Sequence, residues 1–258
     1  MTFSIITVTY NAGQWLERTI QSIINQSYKN IEYIIIDGNS TDGTLDIIQN
    51  YEIKINNSQL SIFNFQFISE PDNGLYDAMN KGLAMATGDY VWFINAGDTL
   101  HSPDTLQEIT AQLKKIVSLP DVIYGETMIV DAQGISVGRR RLKAPARLTW
   151  KSFRMGMLVS HQSFIVRREI APRYDLNYPL TADFDWCIRC LQQARQVWNT
   201  QLVLSNFLED GMSSRQRKVS LRERYRIMCR YYGKTGTVFR HVWFTIRFYI
   251  AKIIKGRV

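Results

Sequence analysis

Four short runs rich in apolar, β-branched and aromatic residues divide the first hundred positions of the chain. They are Phe3 to Val8, Ile31 to Ile36, Phe65 to Ser69 and Tyr90 to Ile94. In the second run, Ile31 to Ile36, apolar residues follow one another instead of alternating with polar ones. Such continuous runs are typical of strands covered on both faces, as in a parallel sheet.

Segments with helical patterns separate these runs. An amphipathic helix is predicted from about Trp15 to Asn25, a second one from Leu45 to Tyr51, and a third from Ala78 to Ala86. The turn-rich segment Asp37 to Thr44 supplies capping residues for the second helix. Strand, helix and strand in this order predict right-handed βαβ units, and hence an α/β fold with a mostly parallel sheet flanked by helices.

The second half of the chain gives a weaker and more mixed pattern. Its predicted elements are a helix to about Val117, a strand at Asp121 to Tyr124, a hairpin at Met128 to Val137, a strand at Ser163 to Val166, a helix at Ala182 to Gln193 and a strand at Val197 to Leu204. A charged helix from Lys218 to Tyr232 precedes a C-terminal segment with an apolar stripe that begins at Phe239, Val242 and Trp243. Charges interrupt this segment too often for a membrane span. Either it lies in a membrane interface or it docks on the domain, since periodicity alone does not separate the two.

Charge and cysteine content narrow the choice of partner and compartment. The net charge of +8 is concentrated in the second half, in Arg139 to Lys151 and from Arg215 onwards, which indicates an anionic partner. The basic run lacks an aromatic platform motif for RNA, so we expect no nucleic-acid partner. Three cysteines and a start without a secretory signal predict a cytoplasmic protein.

Two carboxylates follow buried strands of the predicted sheet. Asp37 ends the second apolar run, and Asp98 comes after the fourth, in Asn95-Ala96-Gly97-Asp98. Ligand crevices of open α/β sheets lie at these strand ends, so both carboxylates are expected at one crevice. The turn after the first strand is not GxGxxG and no GxxxxGK[ST] loop occurs, which argues against an oxidoreductase or a P-loop NTPase.

Four ordered motifs resemble those of the family 2 glycosyltransferases with the GT-A fold, and most closely the bacterial enzymes of colanic-acid, capsule and O-antigen assembly. The motifs are Ser4 to Asn11, Asp37 to Thr44, Asp72 to Gly82 and Phe93 to Asp98. The similarity is dense over Thr2 to Thr99 and sparse beyond. It implies a GT-A domain at 1–210, with a nucleotide-sugar-binding half at 1–100 and an acceptor half at 101–210, followed by a basic helical extension at 211–258.

The resemblance also implies a role for individual residues. Donor nucleotide contacts fall on Thr9, Tyr10, Asn11, Asp37, Asp42, Asp72 and Asn95, with Asp37 accepting from the base. Asn95 to Asp98 occupies the place of the DxD motif but begins with Asn, so the resemblance leaves Asp98 to hold Mn²⁺ or Mg²⁺. Asp183 lies at the catalytic pair, where Ala182 replaces a Glu, and is the expected general base. Asp185 is its competitor, and His161 is a possible additional catalytic residue.

The activity implied is metal-dependent transfer of a sugar, with inversion, from a UDP-, GDP- or dTDP-sugar to a glycan acceptor. The basic second half fits an acceptor linked to polyprenyl diphosphate, met at the inner face of the cell membrane. Asn95 and Ala182 also leave open a catalytically weak sugar-nucleotide-binding or scaffold protein of a polysaccharide assembly complex.

Overall fold

The computed structural model of the chain describes residues 1–57, 63–209 and 216–255. In this part of the chain, one mixed sheet is flanked by helices. Its strands are β1 (Phe3–Thr9), β2 (Ile31–Asp37), β3 (Phe63–Ser69), β4 (Tyr90–Phe93), β5 (Thr99–Leu100), β6 (Val122–Val130), β7 (Ser136–Arg139), β8 (Phe164–Arg167) and β9 (Val197–Leu208). Its helices are α1 (Gly13–Ile24), α2 (Thr44–Asn57), α3 (Leu75–Met85), α4 (Thr105–Leu113), α5 (Ala182–Gln193), α6 (Arg217–Tyr232) and α7 (Lys234–Lys255). Short 3₁₀ helices span Trp150–Met155, His161–Ser163 and Arg168–Ile170.

The first four strands form the parallel half of the sheet, in the order β3, β2, β1, β4. Neighbouring residues of β1 belong to apolar clusters on opposite faces: Ile6 lies in the cluster that contains Met79 of α3, and Ile5 in the one that contains Leu16 of α1 and Ile48 of α2. All seven residues of β1 and of β2 are buried. The predicted coverage of both faces is therefore confirmed.

Helix α3 packs unusually close to the sheet. A Cβ atom placed on Gly82 would lie 2.4 Å from Cγ2 of Ile6 and 3.3 Å from Cγ1 of Ile36. The absence of a side chain at Gly82 therefore sets the distance between α3 and the sheet. The N-terminus of α3, at Leu75, lies near the carboxyl ends of β1 and β2, so this distance also positions one wall of the cleft described below.

The second half of the sheet contains antiparallel pairs, because β8 lies between β4 and β6 and runs opposite to both. Strand β6 is one element, where the sequence pattern predicted a short strand and a separate hairpin arm. The reason is Gly125, which interrupts the apolar pattern and would place a Cβ atom 2.6 Å from the carbonyl oxygen of Leu202 in β9. The register between β6 and β9 shifts next to this residue. The predicted α/β architecture is confirmed.

Helix α7 begins against α6, where the rings of His241 and Tyr225 meet with centroids 5.2 Å apart. Its apolar residues Phe239, Val242 and Trp243 are 72%, 53% and 52% exposed, respectively. The side chains of the later stripe positions, from Ile246 onwards, lie outside the described residues. Within the described part of the chain, no helix combines the length and the apolar content that crossing a bilayer requires.

Candidate active site

A cleft of about 1060 Å³ opens at the carboxyl ends of β1 and β4. The loops after these strands form its first wall, and the N-termini of α3 and α5, the end of β9 and one face of α6 complete it. Residues from both halves of the chain therefore meet there. Of the residues predicted for the site, the cleft is lined by Thr9, Tyr10, Asn11, Asp72, Asn95, Asp98, His161 and Asp183.

Asn11 determines the turn of the loop after β1, where its backbone adopts a positive φ of 47°. Its backbone N–H donates to Ser40 Oγ at 2.8 Å, and its side-chain oxygen accepts from the Thr41 N–H at 2.9 Å. Tyr10 is 68% exposed above the cleft. Among the described residues Thr9 Oγ1 is buried and has no hydrogen-bond partner. Buried polar atoms are rarely left unpaired, so this hydroxyl is suited to a ligand.

Two predicted nucleotide contacts, Asp37 and Asp42, lie outside the lining of the cleft. Asp37 is fully buried and accepts from the Ser40 N–H at 3.0 Å and from Ser69 Oγ at 2.7 Å. Asp42 accepts from the N–H groups of Gly13 at 3.0 Å and Thr44 at 3.1 Å, where α1 and α2 begin. Both carboxylates thus satisfy loop donors, and the Thr44 hydroxyl and the Gly13 N–H lower the pKa of Asp42.

Asp72 faces the cleft next to the neighbouring loop. Its Oδ1 lies 2.6 Å from Lys81 Nζ, and only 8% of its side chain is exposed. A Cβ atom on Gly38 would lie 3.1 Å from Asp72 Oδ2 and 3.2 Å from the Tyr10 ring. Gly38 therefore keeps a narrow slot open between a carboxylate and an aromatic ring, which is a suitable shape for a planar, hydrogen-bonding group.

Asp98 is turned into the fold by Gly97, which has a φ of 100°. The Asp98 side chain is buried, with Oδ1 accepting from the Leu208 N–H and Oδ2 from Gln162 Nε2, both at 2.9 Å. Burial raises the pKa of Asp98 to about 6, although these two donors, together with His161 and Arg18, act in the opposite direction. The carboxylate therefore exchanges its proton close to neutral pH.

Asn95 and Asp98 together offer oxygen ligands to a divalent cation. Asn95 Oδ1 is buried and has no hydrogen-bond partner in the described part of the chain. Mg²⁺ and Mn²⁺ accept such oxygens and commonly take only one or two carboxylates besides substrate phosphates. Within the described residues no group of three or more His, Cys, Asp or Glu side chains forms a complete metal site. The donor set therefore fits a cation that also binds a diphosphate.

Asp183 reaches the opposite side of the cleft from the first turn of α5. Its Oδ1 accepts from Tyr76 Oη at 3.1 Å and from the Phe184 N–H at 2.9 Å, and its Oδ2 lies 3.6 Å from His161 Nδ1. Burial alone raises the pKa of Asp183, but His161, Arg224 and Tyr76 outweigh it and lower the pKa below its ordinary value. The carboxylate is therefore ionised at neutral pH.

Asp185 faces away from the cleft. It is fully buried, lies 2.6 Å from Arg189 Nε, and accepts from Tyr231 Oη at 2.7 Å. Arg230 of α6 lies 3.8 Å from the same carboxylate. These contacts fasten α6 to α5, and they favour Asp183 over Asp185 as the group that meets a substrate.

No individual role was predicted from the sequence for several residues of the site. Tyr76, Gln162 and Leu208 hold the two carboxylates, and Arg140 and Arg224 line the same cleft. Arg140 lies in the basic run that predicted an anionic partner, but its exposed neighbours Arg139 and Arg141 share that run. Only the folded structure shows that Arg140 lines the cleft whereas Arg139 and Arg141 are exposed.

Comparison with known proteins gives a consistent result. Residues 4–171 match the profile of the Glycosyl transferase family 2. A PGL/p-HBAD biosynthesis glycosyltransferase of Mycobacterium tuberculosis is 32% identical over 214 residues, which are 81% of this chain and 77% of the relative. An uncharacterized glycosyltransferase of the same species is 30% identical over 222 residues, 83% of this chain and 77% of the relative.

Solved structures share the fold at lower identity. Staphylococcus aureus TarS in complex with UDP superimposes with a TM-score of 0.66 at 19% identity, over 92% of this chain and 68% of TarS 1–349. A mannosyltransferase from Pyrobaculum calidifontis, in complex with GDP-Man and Mn²⁺, gives 0.65 at 15% identity, over 93% of this chain and 69% of that one. Together with the profile match, these similarities confirm the expected GT-A fold. The chain belongs to glycosyl transferase family 2.

Proposed function

We propose that the protein transfers a sugar from a nucleotide-diphosphate sugar to a hydroxyl of a glycan acceptor, in a single displacement that inverts the anomeric configuration. The observation that carries this proposal is the Asp183 carboxylate, which lies in the cleft, is kept ionised and has one oxygen directed to His161. The TarS structure with UDP-GlcNAc and the mannosyltransferase structure with GDP-Man support a nucleotide-sugar donor.

Asp183 acts as the general base in this reaction. Tyr76 and the Phe184 N–H occupy Oδ1, so Oδ2 is the oxygen that takes the proton of the acceptor hydroxyl. The hydroxyl oxygen then forms its bond to the anomeric carbon from the face opposite the departing nucleoside diphosphate, and one such displacement inverts the configuration. His161 lies beside Oδ2 and orients the carboxylate. It also acts to lower the pKa of Asp98.

The donor occupies the wall built by the first half of the chain. Thr9, Tyr10, Asn11, Asp72 and Asn95 line it and are the nucleotide-contacting residues of the proposal. The slot between Tyr10 and Asp72 receives a planar group, and the unpaired Thr9 hydroxyl adds a hydrogen bond. Asp37 and Asp42 contribute by holding the loops, which is a structural role in place of the direct base contact expected from the sequence.

Asp98, with Asn95, is the proposed position of Mn²⁺ or Mg²⁺. A cation bound there supplies charge neutralisation at the departing diphosphate. Asp98 must lose its proton to serve as a ligand, and its pKa of about 6 allows that at neutral pH. Gln162 and Leu208 keep the carboxylate pointing into the cleft while it does so.

We place the acceptor on a polyprenyl diphosphate at the inner face of the cell membrane. The support is α7, where Phe239, Val242 and Trp243 are more than half exposed on a helix that also carries Arg240 and Arg247. Exposed aromatic and aliphatic residues beside basic ones are typical of helices that lie in a membrane interface.

Nucleoside diphosphate release tests the catalytic part of the proposal. UDP-, GDP- and dTDP-sugars are offered in turn with Mn²⁺ or Mg²⁺, and with a membrane extract as the source of acceptor. Metal-dependent release from one donor that is lost in Asp98→Asn and in Asp183→Asn establishes the transferase. Donor binding by calorimetry without release from any donor would instead support a sugar-nucleotide-binding protein with little turnover.

Vesicle sedimentation tests the membrane part. Binding to anionic vesicles is expected for the natural chain and is reduced at least tenfold by the pair Phe239→Ser and Trp243→Ser. Val117→Ser, which changes a fully exposed apolar residue beyond α4, is the matched control and leaves binding unchanged. Equal binding by both variants would show that this face of α7 has another role.

A further inference from the structure

Two arginines that line the cleft have no carboxylate partner among the described residues. Arg140 follows β7, and its Nη2 donates to the Met157 carbonyl oxygen at 3.1 Å. Arg224 lies on α6, and its Nε is buried without a hydrogen-bond partner among the described residues. Neither has a carboxylate oxygen within 4.0 Å in that part of the chain, although both side chains line the cleft and are only partly exposed.

The two guanidinium groups line the same cleft, and the charge of Arg224 acts on Arg140. Burial, followed by the charge of Arg224, lowers the pKa of Arg140, whereas Asp183 and Glu126 act to raise it. Placing two like charges in a partly dehydrated cleft costs free energy unless an anion joins them. The planar fork of a guanidinium is suited to phosphate and carboxylate oxygens, to which it can donate two parallel hydrogen bonds.

The arginines belong to the acceptor side of the cleft. Arg224 is among the groups that lower the pKa of Asp183, whereas His161 and Arg18 are the charged groups that lower that of Asp98. Both arginines therefore interact electrostatically with the proposed base, Asp183.

The position of Arg224 is fixed by its neighbour on α6. The buried Glu223 accepts from the Leu180 N–H at 3.0 Å and from Thr181 Oγ1 at 2.9 Å. These two residues come directly before α5, which begins at Ala182 and carries Asp183. The same contact thus positions an arginine of α6 and the base of α5 relative to each other.

We infer that Arg140 and Arg224 form an oxyanion subsite that binds a phosphate or carboxylate group of the acceptor, next to the hydroxyl that is glycosylated. This inference rests on the proposed function, since it takes Asp183 as the base. It names the acceptor class as an anionic glycan or glycosyl phosphate. It also assigns a ligand to Arg140, the residue of the basic run that lines the cleft.

Calorimetry with small anions tests the subsite without knowledge of the acceptor. The protein is first saturated with Mg²⁺ and whichever of UDP, GDP and dTDP binds it, so that the donor site is filled. Inorganic phosphate and glucuronate are then titrated separately. Binding of phosphate alone indicates a phosphorylated acceptor, and binding of glucuronate alone indicates a uronate-containing one.

Variants decide whether the arginines are responsible. Arg140→Gln and Arg224→Gln are each expected to weaken anion binding at least tenfold and to leave the affinity for the nucleoside diphosphate unchanged. Arg139→Gln and Arg222→Gln change exposed neighbours and serve as matched controls without effect. Thermal unfolding checks each variant, and Arg224→Lys, which keeps the charge but loses the fork, replaces Arg224→Gln if that variant does not fold.

Two results would overturn the subsite. Anion binding that is absent, or equal in natural and variant proteins, would leave the pair without the proposed ligand. A loss of nucleoside diphosphate affinity as large as the loss of anion affinity would assign the pair to the donor. Failure of the proposed function is distinguished from both by the release assay, because it shows as absent nucleoside diphosphate release by the natural chain, whatever the anion titration gives. If no nucleoside diphosphate binds, the anion titration is repeated without nucleotide.

Discussion

Gln162 donates its side-chain amide to Asp98 Oδ2 at 2.9 Å, in the interior of the cleft. The contact joins a 3₁₀ turn of the second half of the chain to the loop that follows β4 in the first half. It stabilises the ionised form of a carboxylate whose pKa burial raises to about 6. Under the proposed function, protons and a divalent cation therefore compete for Asp98 close to neutral pH.

This competition predicts the pH dependence of activity. At limiting Mg²⁺ or Mn²⁺, kcat/KM is expected to rise with pH through about 6 and to have its midpoint lowered by excess metal. Gln162→Leu removes a donor to the charged form and is expected to raise the midpoint by about one pH unit, the size of a net hydrogen bond to a charge. Gln107→Leu, on the exposed face of α4, is the control. A midpoint unaffected by metal would contradict this assignment.

Asp98 is also predicted to destabilise the metal-free protein at neutral pH. Its folded-state pKa of about 6 exceeds the ordinary 3.8, so the folded state binds more protons than the unfolded state between these values. Stability is therefore lost as pH rises through this window. At about 1.4 kcal/mol per pKa unit the loss is on the order of 2–3 kcal/mol above pH 6.

Asp98→Asn is expected to recover about 1–2 kcal/mol of this loss at pH 7.5, and much less at pH 4. Chemical denaturation of the metal-free proteins at both pH values measures the difference. A stability gain of the same size at both pH values would show that packing, not charge, causes the difference between the natural chain and Asp98→Asn.

Asp183 and Asp185 are expected to fail in different ways when each is changed to Asn. Asp183→Asn removes the proposed base and should lower kcat about 10²- to 10⁴-fold, with donor affinity and melting temperature nearly unchanged. Asp185→Asn leaves Arg189 beside an uncharged, buried partner and should cost about 3 kcal/mol of stability, with turnover retained below the unfolding temperature. Single-turnover kinetics and thermal melts of both variants compare them, and the reverse pattern would assign the base to Asp185.

Gly82→Ala is predicted to push α3 away from the sheet. The new methyl group meets Ile6 Cγ2 at 2.4 Å, which costs about 1–3 kcal/mol even after the better helix propensity of Ala is counted. Under the proposed function donor affinity falls with it, because α3 follows the loop that carries Asp72. Ala84→Ser, on the exposed face of α3, should change stability by less than about 0.5 kcal/mol. An unchanged melting temperature for Gly82→Ala would show that α3 adjusts freely.

The parallel half of the sheet was predictable because strands buried on both faces leave a strong local pattern. The helix that begins at Ala182 was predicted equally clearly. The two-residue spacing of Asp183 and Asp185 predicted that they point to different sides of this helix, as they do. In the second half, Gly125 interrupts the apolar pattern of β6, so the sequence did not show that β6 is continuous. A side chain at Gly125 would collide with the main chain of β9, which lies far along the sequence.

Most of the residues predicted for the site line the cleft, but their contacts could not be predicted. Asp37 was expected at the cleft because it ends a strand. Its carboxylate instead accepts a hydrogen bond from Ser69, at the end of the neighbouring strand β3. Gln162 and Arg224 are ordinary polar residues in the sequence. Each becomes part of the site through contacts between distant segments, which no local pattern encodes.

The junction of β4 and β8 has a consequence for engineering. The two strands are paired at Tyr90 with Arg167 and at Val91 with Val166, so a short main-chain connection joins the two halves of the sheet before they separate around the cleft. Main-chain hydrogen bonds therefore hold the two halves of the sheet together at this point. The proposed anion subsite at Arg140 and Arg224 lies outside this pairing, so acceptor preference can be redesigned there while the junction is left intact.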